Sequence, residues 1–102
     1  MIMEADRPER RVIVITGVSR GLGKAMAREF AEQGHRVAGC SRNEKNLISL
    51  RQELGGLHSF ESVDVRNDVK VAQWAKKVID EFGAPDLLLN NAAVINPNKF
   101  LW

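Results

Sequence analysis

Two hydrophobic rhythms alternate along the chain. Short β-branched and aliphatic runs, the first over residues 12–16, are each followed by a longer stretch with apolar residues at helical spacing. This pattern predicts strands over 12–16, 36–41, 59–64 and 86–90, and helices over 21–33, 43–54 and 68–82. In the last helix Val71, Ala75, Val78, Ile79 and Phe82 mark one apolar face, with Trp74 a partly buried packing residue beside it. The punctuation agrees. Gly34, Gly55 and Gly83 stand just past the helix ends, where a left-handed residue closes the last turn. Asn43, and Asn67 or Asp68, stand where helix caps belong.

Strands that alternate with helices run parallel, each pair joined by a crossover. The runs over 12–15 and 87–89 are apolar throughout, as in strands covered on both faces. The predicted fold class is therefore α/β, a Rossmann-type doubly wound parallel sheet with strand order 3-2-1-4, truncated after the fourth strand. The first two helices are expected on one face and the third on the other. The fourth strand is then expected to be an apolar edge, and the polypeptide alone to be prone to aggregate. Residues 97–102, with Phe100, Leu101 and Trp102, read as a segment separated from its packing partners. Residues 1–10 are polar and charged and read as a flexible lead.

Composition narrows the function. A chain of 102 residues holds one small domain, and 44% hydrophobic with 27% charged residues is ordinary for a globular one. A net charge of +2, with no basic run longer than two and no tyrosine to stack a base, argues against nucleic acid. No apolar run approaches a membrane span, and too few apolar residues follow Arg10-Arg11 for a signal core. The single Cys40 excludes an internal disulfide, reads as a small buried hydrophobe, and suits a reducing, cytoplasmic setting.

The chemistry is concentrated in Thr16-Gly17-Val18-Ser19-Arg20-Gly21-Leu22-Gly23, between the first strand and the first helix. In a doubly wound sheet, ligands bind beyond the carboxyl ends of the strands, where the strand order reverses. Gly17 permits the sharp turn out of the strand. Gly21 lets backbone approach a ligand, and Gly23 lets the helix pack close to the sheet. Free amides at the helix start, with the helix dipole, form an anion site that suits a pyrophosphate. The alternative is a tight turn with no ligand, which the surrounding βαβ repeat disfavours.

The spacing Thr-Gly-x-x-x-Gly-x-Gly resembles that of the short-chain dehydrogenases/reductases. Asn90-Asn91-Ala92-Ala93 at the end of the fourth strand is similar to that family's Asn-Asn-Ala-Gly, and Asp64-Val65 to its Asp-Val after the third strand. The resemblance covers about residues 10–102, so 11–102 is expected to be the N-terminal part of a dinucleotide-binding domain. It implies that Ser19 and Leu22 contact the phosphates and that Asp64 and Val65 lie against adenine, with the carboxylate accepting from the exocyclic amine. It also implies that Asn91 holds the fourth strand and the ribose, with Ala92 and Ala93 beneath the nicotinamide side. Ala93 departs from the family's glycine and adds a methyl near the ribose.

The dinucleotide is read at the end of the second strand. An NAD reader places an acid there; this chain has Ser41 followed by Arg42. Arg42 can make a charge-assisted fork to a 2′-phosphate, and Arg20 adds a second cation. NADP(H) is therefore expected in preference to NAD(H). Lys45 reads as a solvated helix residue, with a place near the 2′-phosphate as the alternative. The family's Tyr-x-x-x-Lys pair is absent, since the chain has no tyrosine, so no catalytic residue is assigned. His35 and His58 read as loop histidines without a role, and no cluster has metal-ligand spacing. The expected function is an NADP(H)-dependent oxidoreductase, transferring hydride between nicotinamide and a small-molecule carbonyl or alcohol. The full-length parent is expected to be a homo-oligomer, with this chain supplying the cofactor-binding part. The alternative is a non-catalytic, truncated nucleotide-binding module that pairs with a related subunit.

Overall fold

The computed structural model describes residues 10–19 and 21–91. Expectations for residues 1–9, Arg20, Ala92, Ala93 and the 97–102 tail fall outside them. In chain order the elements are β1 (Val12–Thr16), α1 (Gly21–Glu32), β2 (Arg36–Ser41), α2 (Glu44–Leu54), β3 (Ser59–Ser62), α3 (Asp68–Phe82) and β4 (Leu87–Asn90). All strand pairs are parallel and the sheet order is β3-β2-β1-β4. The predicted α/β, Rossmann-type architecture is therefore the observed one.

The continuous apolar strands are explained by two cores, one on each face. On one side Ile13, Ile15, Val37 and Phe60 pack with Ala27 of α1 and Leu47 and Leu50 of α2. On the other, Val14, Ala38 and Cys40 pack with Val71, Trp74 and Val78 of α3. Period-2 alternation sends neighbouring residues of one strand into different cores, so a strand apolar at every position is the one both layers need. Trp74 is more deeply buried than the sequence pattern suggested, at 2% exposure. Among the described residues β4 pairs only with β1, and its Leu87 is 40% exposed. That is the apolar edge expected of it.

The helix ends follow the sequence punctuation. The Asn43 side chain accepts from the Asn46 amide and that of Asn67 from the Lys70 amide, which caps α2 and α3. Gly34 closes α1 at φ 93°, donating to the Ala31 carbonyl, while His35 donates to that of Phe30. The main difference from expectation lies in β3, which stops at Ser62 instead of running to residue 64. Val63 still donates to the Ser41 carbonyl at 3.0 Å. Asp64 then leaves the ladder. Its carbonyl accepts from Asn67 and its carboxylate from the Arg66 amide, so it opens a turn.

Two histidines described as roleless have structural work. His35 Nδ1 accepts the Arg11 amide at 3.0 Å, and His58 Nδ1 accepts the Val37 amide at 3.1 Å. Asp86 Oδ2 does the same for Val12 at 2.8 Å. All three sit at the amino ends of the strands, where sheet pairing leaves amides to be satisfied.

Candidate functional site

At the carboxyl ends of the strands a cleft of about 1140 Å³ opens between β1 and its neighbours. The glycine turn forms one wall through Gly17, Ser19, Gly21 and Leu22. The end of β2 and the start of α2 supply Ser41, Arg42, Asn43, Glu44, Lys45 and Asn46. Val63, Asp64, Val65 and Arg66 follow β3, and Asn91 follows β4.

The turn owes its shape to bonds with both neighbouring strands. The Gly17 and Val18 amides donate to the Cys40 carbonyl at 2.9 and 3.2 Å. From the other side, the Asn91 amide donates to Thr16 Oγ1 at 2.9 Å, and Asn91 Nδ2 donates to the Gly17 carbonyl at 3.1 Å. Asn91 thus clasps β4 to the turn. Gly17 and Gly21 have φ of 72° and 60°, which a side chain resists. Around Gly21 a Cβ would meet nothing within 4 Å, so its open side faces the cleft space. At Gly23 α1 comes close to the carboxyl end of the sheet, as expected. A Cβ there would lie 2.0 Å from the Gly17 carbonyl oxygen and 2.6 Å from Asn91 Nδ2. It is required by the turn and the Asn91 clasp, and it lies beneath the cleft instead of lining it.

Gly39 was not singled out in the sequence, although an isolated glycine in a strand signals close approach. Its missing Cβ makes room for Val18, whose methyls would lie 2.5 and 2.9 Å away. Val18 is fully buried and anchors the middle of the turn. Cys40 is buried under the cleft floor. Desolvation pushes its thiol up to about 12, so it stays a neutral thiol in any ordinary buffer.

The cleft charges sort into paired and unpaired. Glu44 accepts from Arg51 Nη1 at 2.9 Å, and the rest of that guanidinium bonds the Phe60 carbonyl. The Arg66 guanidinium grips both oxygens of Asp64, at 3.1 and 3.0 Å. These bonds, then the Arg66 amide, hold the Asp64 carboxyl down at about 2, with Arg42 adding a smaller pull. Arg42 and Lys45 have no carboxylate within ion-pair distance among the described residues. Lys45 is exposed, as a solvated helix residue is, and also lines the cleft, as do Arg66 and Asn46. Arg66 carried a signal, since an aspartate opening a turn places the residue two positions on against its carboxylate.

No group of three or more metal-ligating side chains occurs among the described residues, and no described helix is long and apolar enough to cross a membrane.

A parallel sheet in the order 3-2-1-4, with a glycine turn at the point of strand reversal, defines the Rossmann-type class. The comparisons narrow it. The short chain dehydrogenase family matches residues 11–101, and the chain belongs to that family. It is 40% identical over 94 residues to an NADPH-dependent pterin aldehyde reductase of Arabidopsis thaliana, covering 90% of this chain and 39% of that protein. The chain therefore spans well under half the length of such relatives. Among solved structures, a short chain dehydrogenase from Bacillus anthracis is 36% identical, with a TM-score of 0.77 over 82% of this chain and 35% of that one. The closed form of a serine dehydrogenase complexed with NADP+ is 31% identical, with a TM-score of 0.76 over 81% of this chain and 34% of that one.

Proposed function

We propose that residues 11–102 are the cofactor-binding part of an NADP(H)-dependent oxidoreductase acting on a carbonyl or alcohol. The observation that carries this reading is the charge sorting in the cleft. Both lining carboxylates are neutralised by arginines, while Arg42 and Lys45, with no carboxylate in ion-pair distance among the described residues, are available to an outside anion. Ser41 stands where an acid would repel a 2′-phosphate, and its hydroxyl accepts the Asn43 amide at 3.1 Å, shaping the loop that carries Arg42. A phosphate between Arg42 and Lys45 would gain charge-assisted bonds that a bare ribose hydroxyl cannot.

In this reading the amides at the start of α1, with Ser19 and Leu22, hold the pyrophosphate. Arg20 adds a second cation toward the 2′-phosphate. Asp64 and Val65 hold the adenine; Asn91, Ala92 and Ala93 hold the nicotinamide half. The bound cofactor would supply hydride transfer. The chain's own contribution is to orient it, because no tyrosine is present to move the accompanying proton. The NADPH dependence named for one relative and the NADP+ complex of a solved structure support the choice of dinucleotide.

The test is calorimetric titration with NADPH and NADH. The expected outcome is that NADPH binds about tenfold or more tightly, and that Arg42→Asp abolishes or reverses the preference. Equal affinities in the wild type, or an unchanged ratio in the variant, overturn the assignment.

A further inference from the structure

The adenine role of Asp64 rests on the function proposed above, and the bonds around its carboxylate carry it further. An ionised carboxylate offers about four acceptor positions and no donor. Oδ1 of Asp64 accepts twice, from the Arg66 amide at 3.0 Å and from Arg66 Nε at 3.1 Å. Oδ2 accepts once, from Arg66 Nη2 at 3.0 Å. One position remains, and it is on Oδ2. Both residues line the cleft, and both side chains are partly exposed.

We propose that Arg66 is a positioning residue of the adenine subsite: its fork fixes Asp64 so that a single acceptor position on Oδ2 faces the base. That position takes an amine N–H and rejects a purine with a carbonyl at the same place. The carboxylate is ionised at neutral pH with or without the fork, since an ordinary aspartate titrates at about 3.9, so the guanidinium acts by fixing the geometry of the acceptor. Without the guanidinium, the Arg66 amide still anchors Oδ1, so the turn stays closed while the carboxylate gains freedom to swing away from a mismatched base.

The experiment compares NADPH with its hypoxanthine analogue, in which a carbonyl replaces the adenine amine, by calorimetry on the wild-type chain and two variants. The wild type is expected to favour NADPH by about tenfold or more. In Arg66→Leu the ratio is expected to fall to within about threefold, with NADPH affinity changed less than the ratio. Arg66→Lys supplies a charge without the planar fork and is expected not to restore the ratio. A purely structural role would lower both affinities together and leave their ratio alone. An unchanged ratio in Arg66→Leu, or full restoration in Arg66→Lys, overturns the inference while leaving the cofactor reading standing. Failure of the wild type to bind either dinucleotide overturns both. Thermal melts followed by circular dichroism check that the exposed substitutions leave the fold intact.

Discussion

The two ends of the sheet meet the same physical problem in opposite ways. At the amino ends, strand amides are satisfied from within: His35, His58 and Asp86 each bring a side-chain acceptor to one. At the carboxyl ends the chain spends its side chains on shaping a turn and a cleft. Asn91 and the Cys40 carbonyl fix the glycine loop, and arginines neutralise the two acids. One end is closed by its own chemistry; the other opens a cleft lined by Arg42 and Lys45, which have no carboxylate within ion-pair distance among the described residues.

The sharpest way to break this contrast is within the glycine turn. Gly23→Val should destabilise the chain by roughly 3 kcal/mol or more, because the new side chain collides with backbone at Gly17. Gly21→Val has open space and costs only the strain of a positive φ, on the order of 1–2 kcal/mol. It should keep the fold and lose NADPH binding. Urea denaturation alongside calorimetry separates the two; equal loss of stability would refute the distinction drawn between these glycines.

At the closed end, burial first and then the Arg36 charge lower the His58 pKa. The folded chain therefore holds that proton less tightly than the unfolded chain, and stability rises with pH. The contribution is complete above the ordinary imidazole value of about 6.5 and is lost as pH falls toward the lowered folded value. Urea midpoints between pH 5 and 7.5 should show the decline in the wild type. His58→Asn should flatten it, since its amide oxygen accepts without titrating; an equally steep slope in the variant counts against this role. The smallest effect is expected at Arg28–Glu53, a bridge from α1 to α2 whose side chains are 48% and 42% exposed. Arg28→Ala should leave the urea midpoint within error and NADPH affinity unchanged, because solvent screens the pair.

The layers and strand order were legible because both depend on repeating patterns. A strand apolar at every position implies two cores, and helix-spaced apolar residues between such strands imply crossovers. Pairwise geometry was less legible. Residues 63–64 continue the β3 pattern in sequence, yet Asp64 finds better acceptor bonds in a turn with Arg66. Gly23 reads in sequence as the place where the helix packs close to the sheet, and the fold adds which partner it meets there, Asn91, far along the chain. His35 and His58 were read as loop residues because nothing local signals an amide waiting on a neighbouring strand. Lys45 and Arg66 enter the cleft because strands two and three end side by side, which follows from the topology but not from either segment alone.

The Asn91 clasp also sets an order of events in time. Its bonds to Thr16 and Gly17 join partners 75 and 74 positions apart. During synthesis the turn leaves the ribosome well before its fastener does. The glycine turn is thus made first and locked later, and it gains the bonds that hold its shape only after β4 has docked.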